Sequence, residues 1–207
     1  MKIVLATNNK HKIKEIKEII KDKNFKILTL QDINFNKPIK ETGATIADNA
    51  KIKARSVRNY IKDAIILSDD TGLEVDYLAK APGVYSSRFA GHGCTYEDNY
   101  NKLLKLLKDV PWRQRKATFK TAVCIILPDG KEKIVIGKVN GYISFEPRGK
   151  NGFGYDPVFY FTKKGKTFAE MSLKEKNKIS HRKNAFLKAL NYIKKVYKNK
   201  KAGRSGT

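Results

Sequence analysis

The sequence predicts a mixed α/β fold: a long, twisted mixed β-sheet with packed helices, in two lobes around a central cleft. Three observations lead there. Short apolar runs and amphipathic stretches follow one another as β-α-β over the first third of the chain. Two long strand-like runs flank Pro128-Asp129-Gly130, a hairpin signature. A short strand and an amphipathic helix then close the chain.

Taken in order, residues 2–6 are a first strand and residues 7–12 a polar loop. A helix follows to about residue 22, with Ile13, Ile16, Ile19 and Ile20 at helical spacing. Residues 25–30 are a second strand, and 31–44 a loop holding Pro38 and Gly43. Thr45 and Asp48 have capping-box spacing, with Asp for the usual Glu, and open a long helix over about 46–61. The apolar run 64–68 reads as a buried strand, so Asp69 and Asp70 emerge at a strand's end, where open α/β sheets place ligands. Residues 78–95, with Pro82, Gly83, Gly91 and Gly93, are irregular and suit a lid or a dimer-contact loop. Thr95 and Asp98 begin a helix over about 96–108. The hairpin strands are 116–127 and 132–145. A Gly-rich loop, 148–155, leads to a strand at 158–161, and a last helix over about 173–197 starts with Ser172 and Glu175 in capping-box spacing. Residues 1–198 thus form one domain of two lobes. Residues 199–207 read as a frayed basic tail, whose last six residues differ from what precedes them and are open to being a cloning remnant.

Length and composition bound the function. The 207 residues, 41% hydrophobic, suffice for a sizeable core. No apolar run approaches the ~20 residues of a membrane span, and the N-terminus is not a secretory signal. Cys94 and Cys124 make no CxxC pair and no metal-ligand spacing, which suits a reduced, cytoplasmic setting. The net charge is +24, from 44 Lys+Arg against 20 Asp+Glu. It fits either a polyanion partner or Lys-rich solvated faces. Aromatic residues do not interleave with the basic clusters, so no specific nucleic-acid partner is expected.

Five stretches carry chemistry. In a Lys-rich chain the Asp69-Asp70 pair calls for a divalent metal, an activated water, or both. Thr7, Asn8, Asn9, Lys10, His11 and Lys12 lie between a strand and a helix N-terminus, where free N–H groups and the helix dipole hold anions. An ordinary capped helix start fits them too. Glu41 is a loop carboxylate able to join Asp69 and Asp70 around a metal, and Lys53 on the long helix is able to face a phosphate; a solvated loop and helix face are the alternative. Phe153, Gly154, Tyr155 and Asp156 suit a flat base, with rings that stack and a carboxylate that accepts N–H, or a strand-entry turn with core aromatics. Lys176, Ser180, His181 and Arg182 gather donors on one predicted helix, with Lys176 and Ser180 on a shared face.

Together these stretches resemble the inosine triphosphate pyrophosphatase family, enzymes of non-standard purine nucleoside triphosphates. ATNNKHK at 6–12, ETGATIADNAKIKA at 41–54, SDDTGLEVDYL at 68–78 with APGVYSSRFAG at 81–91, GFGYDPVF at 152–159 and SHRKNA at 180–185 match its motifs in order. The family's first-loop Gly is Asn8 here, a residue that enters the left-handed region readily. Its common DDSGL is DDTGL, which keeps a hydroxyl at Thr71.

The resemblance implies a nucleotide-binding cleft and hydrolysis of ITP, dITP and XTP between the α- and β-phosphates, giving monophosphate and pyrophosphate. It implies Mg²⁺ held by Glu41 and Asp70. Asp70 is then the base that activates water, with Asp69 as its partner; adjacent strand residues face opposite sides, so one of them faces away. Thr7 to Lys12, Lys53 and Thr71 take the triphosphate. Lys176, His181 or Arg182 donates to O6 of a 6-keto purine and Asp156 accepts from N1, polarities that adenine reverses. A homodimer is implied as well.

Overall fold

The computed structural model describes residues 1–202, with backbone alone for the last three. Thirteen regular elements follow in chain order. They are β1 (Lys2–Leu5), α1 (Lys10–Ile19), β2 (Lys26–Leu28), α2 (Ile46–Tyr60), β3 (Ile65–Val75), β4 (Pro82–Gly83) and α3 (Tyr96–Leu106). Then come β5 (Lys116–Ile126), β6 (Glu132–Ile143), β7 (Phe159–Phe161), β8 (Lys166–Thr167), α4 (Leu173–Ile179) and α5 (His181–Ala202). The strands form one mixed sheet in the order β2-β1-β3-β5-β6-β7-β8, with β4 beside β3. β1 runs parallel to β2 and β3, and the other pairs are antiparallel.

The long strand β3 organises the molecule. One edge pairs with β5 without interruption, from Ile66↔Ile126 to Val75↔Ala117. Its other edge is shared. β1 covers it only to Leu5↔Leu67, and β4 takes over at Leu73↔Gly83. Among the described residues no strand covers the edge between those points, and the central cleft opens there. Asp69 and Asp70 therefore lie mid-strand, not at the strand end expected from sequence. What ends beside them is β1; β3 continues through its polar residues because β5 pairs with all of them.

Three apolar clusters build the two lobes. Ile3, Leu5, Ile65 and Leu67 pack with Ile16 of α1 and Phe186 and Ile193 of α5 on one sheet face. Val4 and Ile66 pack with Ala50, Ala54 and Val57 of α2 on the other. The far ends of β3, β5 and β6 join α3 and β7 through Leu73, Val75, Leu103, Phe119 and Phe159, making the second lobe.

Several expectations are corrected. The first helix starts at Lys10 because Asn9 caps it, its Oδ1 accepting from His11 N at 3.0 Å and Lys12 N at 3.1 Å. The single C-terminal helix is two. Ser180 leaves helical geometry (φ −66°, ψ 155°) and its Oγ accepts from Lys183 N at 3.2 Å, which makes it a cap. Asn8 does not enter the left-handed region. The tail expected to fray from residue 199 is helical to Ala202, and residues 203–207 lie outside the described residues. The capping boxes at Thr95/Asp98 and Ser172/Glu175 form as predicted.

Candidate active site

A cleft of about 330 Å³ lies between the lobes, within the usual range for small-molecule sites. Its acidic end is built on β3 and α2. Period-2 alternation sends Asp70 to the α2 face. There its Oδ2 accepts from Asn49 Nδ2 at 3.1 Å and its Oδ1 lies 3.5 Å from Lys53 Nζ. The same Nζ is 2.9 Å from Glu41 Oε2. Asn49 also fixes the Glu41 loop, since its Oδ1 accepts from Gly43 N at 2.8 Å. A Cβ on Gly43 would stand 2.8 Å from Asn49 N, so only glycine lets the loop lie this close. Burial holds the Asp70 carboxyl above its usual range, against the pull of Lys53 and Lys12. Burial also works against the Lys53 ammonium, but Asp70 and Glu41 outweigh it and raise its pKa.

Asp69 points the other way. Its carboxylate is buried and does not line the cleft. Oδ2 lies 3.1 Å from Lys12 Nζ and 3.4 Å from Arg182 Nε. Burial opposes its charge, yet Lys12 and Arg182 prevail and bring its pKa to about 2. From Arg182 the chain of charges continues to Glu15, then to Lys176 at 2.7 Å and on to Asp156 at 2.5 Å. Arg182 Nη2 also donates to Thr71 Oγ1 at 3.2 Å.

The opposite end of the cleft is flat and aromatic. His181 lies on Phe119, centroids 4.4 Å apart and planes 18° from parallel. Burial pushes its pKa well below the ordinary value, so the ring is neutral, and its buried Nδ1 has no hydrogen-bond partner among the described residues. A Cβ on Gly137 of β6 would stand 2.3 Å from His181 O; this glycine lets α5 seat His181 against the sheet. Lys176 has three N–H donors. Glu15 and Asp156 take two of them. Phe153 stands 5.0 Å from that ammonium and carries His11 stacked on it at 5.1 Å. A neutral imidazole, a spare ammonium N–H and flat rings can recognise a heterocycle with an acceptor at its edge.

The Ham1 family model matches residues 3–192. The chain belongs to the Ham1 family. It is 51% identical over 200 residues to the "dITP/XTP pyrophosphatase" of Thermoanaerobacter sp. (strain X514), covering 97% of this chain and 100% of that one. It superposes on the Staphylococcus aureus Ham1 protein with a TM-score of 0.83 at 35% identity, covering 94% of this chain and 98% of that one. A HAM1 protein from Coxiella burnetii gives 0.83 at 36% identity, over 94% and 99% of the two chains. The resemblance read from the five motifs therefore holds.

In this Ham1 chain the cleft gathers Thr7, Asn8, Asn9, Lys12, Glu41, Lys53, Asp70 and Thr71 at the acidic end, and Phe153, Gly154, Tyr155, Asp156, Lys176, His181 and Arg182 at the aromatic end. Four expected residues do not line it. Asp69, on the same strand face as Thr71, is sealed beneath Lys12 and Arg182. Ser180 is spent as a cap, and no longer shares a helix with Lys176. Lys10 is on the exposed surface of α1, and His11 backs Phe153 from outside. The N–H groups of His11 and Lys12 are taken by Asn9 and are not free for an anion, contrary to the reading of an open helix N-terminus. Asp156 Oδ2 already accepts from Phe153 N at 2.8 Å and from Lys176.

Sequence reasoning missed Glu15, Tyr96 and Phe119, and it named Asn49 with the Glu41 loop without giving it a role. Glu15 was readable, as an acid on the apolar face that holds Ile16 and Ile19. Tyr96 and Phe119 depend on contacts between distant segments: Phe119 meets His181 across 62 residues of chain.

A metal would be held by Glu41 and Asp70. Among the described residues no three or more His, Cys, Asp or Glu side chains converge as a metal cluster. Two hard carboxylates sharing one Lys ammonium nonetheless fit Mg²⁺, which is bound through one or two carboxylates, waters and substrate phosphates.

Proposed function

We propose that this chain hydrolyses non-standard purine nucleoside triphosphates, ITP, dITP and XTP, to the monophosphate and pyrophosphate. The observation that carries the reading is the division of one cleft. Paired carboxylates and two lysines stand at one end, and a neutral His181 on Phe119 with Lys176 stands at the other. A triphosphate laid along the cleft meets Lys12 and Lys53, and its base meets the aromatic end. Glu41 and Asp70 would hold Mg²⁺, which would supply charge neutralisation on the phosphates. Asp70, kept basic by burial, orients a water and takes its proton. That water's oxygen bonds to phosphorus as the α–β bridging bond breaks, and pyrophosphate departs. Asp69 acts through Lys12 and Arg182, which it positions.

Base choice follows from hydrogen-bond polarity. Lys176 offers its remaining N–H to O6 of a 6-keto purine, where adenine presents an amino group and would leave buried donors opposed. A site built this way discriminates by about 10⁴–10⁵. Pyrophosphate release over a nucleotide panel, with and without Mg²⁺, tests this. ITP, dITP and XTP turn over far faster than ATP, only with metal, and yield monophosphate. Equal turnover of ATP, or release of single phosphate with a diphosphate, overturns the reading.

Two further parts of the proposal are a homodimer and a cytoplasmic location. Supporting the dimer are the exposed Tyr77 and Tyr85 around the segment expected to be a lid or dimer contact. No helix among the described residues is long and apolar enough to cross a membrane. Sedimentation at micromolar concentration checks the dimer.

A further inference from the structure

Tyr96 stands at the junction of the two ends of the cleft, and no motif points to it. It is the first residue of α3, whose start is fixed by the reciprocal Thr95/Asp98 box. It is 42% exposed, yet its ring lines the cleft, 5.8 Å from Phe153 and edge-on to His11 at 6.3 Å. Its hydroxyl accepts from Asn9 Nδ2 at 3.2 Å, across 87 residues of sequence. α3 belongs to the second lobe through Leu103, and Asn9 belongs to the phosphate loop of the first.

The carboxamide of Asn9 has a fixed polarity. Its Oδ1 must face His11 N and Lys12 N to cap α1. Its Nδ2 is then directed at the cleft, and Tyr96 supplies the acceptor. With the amide turned over, two donors would face the N–H groups of α1, and the hydroxyl would have to turn to donate. The Tyr96 bond therefore favours the capping orientation and ties the loop carrying Thr7, Asn8 and Lys12 to the other lobe.

We infer that Tyr96 is a positioning residue for the phosphates of the substrate, acting through Asn9 and joining the lobes across the cleft mouth. The inference rests on the proposed nucleotide reading for its substrate but is tested separately from it. Tyr96→Phe keeps the ring and removes the acceptor. Asn9→Ser keeps a capping oxygen and removes the Nδ2 donor. One neutral hydrogen bond is worth about 0.5–1.5 kcal/mol, or roughly two- to thirteenfold in binding.

The experiment measures the dissociation constant of inorganic pyrophosphate by titration calorimetry, the KM and kcat for ITP, and the melting temperature. The four proteins are the parent, Tyr96→Phe, Asn9→Ser and the double variant. Expected are pyrophosphate binding weakened about two- to thirteenfold in each single variant and a matching rise in KM. Also expected are a kcat within about twofold for Tyr96→Phe, a melting temperature for that variant lowered by no more than about 4 °C, and a double variant no worse than the singles. Unchanged pyrophosphate binding in Tyr96→Phe overturns the inference, as does a double variant whose losses add. Should the parent bind pyrophosphate but leave ITP intact, the nucleotide reading fails while the pyrophosphate constants still decide the role of Tyr96.

Discussion

The two faces of β3 treat neighbouring carboxylates in opposite ways. On the α1/α5 face Asp69 is sealed from water, paired with Lys12 and Arg182, and brought to a pKa of about 2. On the α2 face Asp70 opens to the cleft, shares one lysine with Glu41, and is held above its usual range by burial. One residue of register separates a carboxylate whose pKa its cations lower from one whose pKa burial raises. The difference shows how a strand divides labour: alternation sets the face, and the helix packed there sets the chemistry. α1 and α5 bring Lys12 and Arg182 to Asp69, while α2 brings Asn49 and Lys53 to Asp70.

The largest expected effect comes from breaking the buried side. Asp69→Asn leaves Lys12 and Arg182 under-compensated and destabilises the fold by about 3–5 kcal/mol, measured by urea unfolding. The pH dependence follows from the sign of the shift. Asp69 has a folded pKa of about 2 against an ordinary 3.8. The unfolded chain therefore binds more protons in that window. The stabilisation is complete above the ordinary value and drains away as pH falls through about 2. The variant lacks that component, so its stability falls less steeply there. An equally steep fall would mean that other acids carry it.

The open side is sharpened by a pH profile. Since Asp70 is raised above its ordinary 3.8, kcat/KM for ITP falls on acidification with an apparent pKa above that value. An acid limb that persists unchanged in Asp70→Asn would indicate a base other than Asp70.

The smallest effect is expected where neither face is touched. Lys194 pairs with Asp22 at 2.7 Å and is left in place. Replacing Lys195, Lys198, Lys200 and Lys201 by Gln keeps kcat/KM for ITP within a few-fold, allowing for lost steering. Collapse of turnover would place the basic end in the active site.

Much of this contrast was readable from the chain. The alternation of Asp69 and Asp70, the hairpin about Asp129 and three of the helix starts follow from period and capping chemistry. Local signals misplaced the end of β3, because Ser68 to Gly72 look like a loop until β5 is alongside. They also ran α4 into α5, since Ser180 reads equally as a helical residue or as a cap. Within the site, the ion chain from Lys12 to Asp156 needs α1, β3 and α4/α5 brought together. Sequence named most of its members but not Glu15, the acid that joins them, and it gave Asp69 to catalysis when its geometry suits holding cations.

The most direct test of the account is the turnover of ITP by Asp70→Asn, with folding followed by the melting temperature. The substitution is nearly isosteric and removes only the charge and the proton acceptor. The account predicts a fall in kcat of at least about 10²-fold with the melting temperature kept near that of the parent. Near-parental turnover by the folded variant would contradict it.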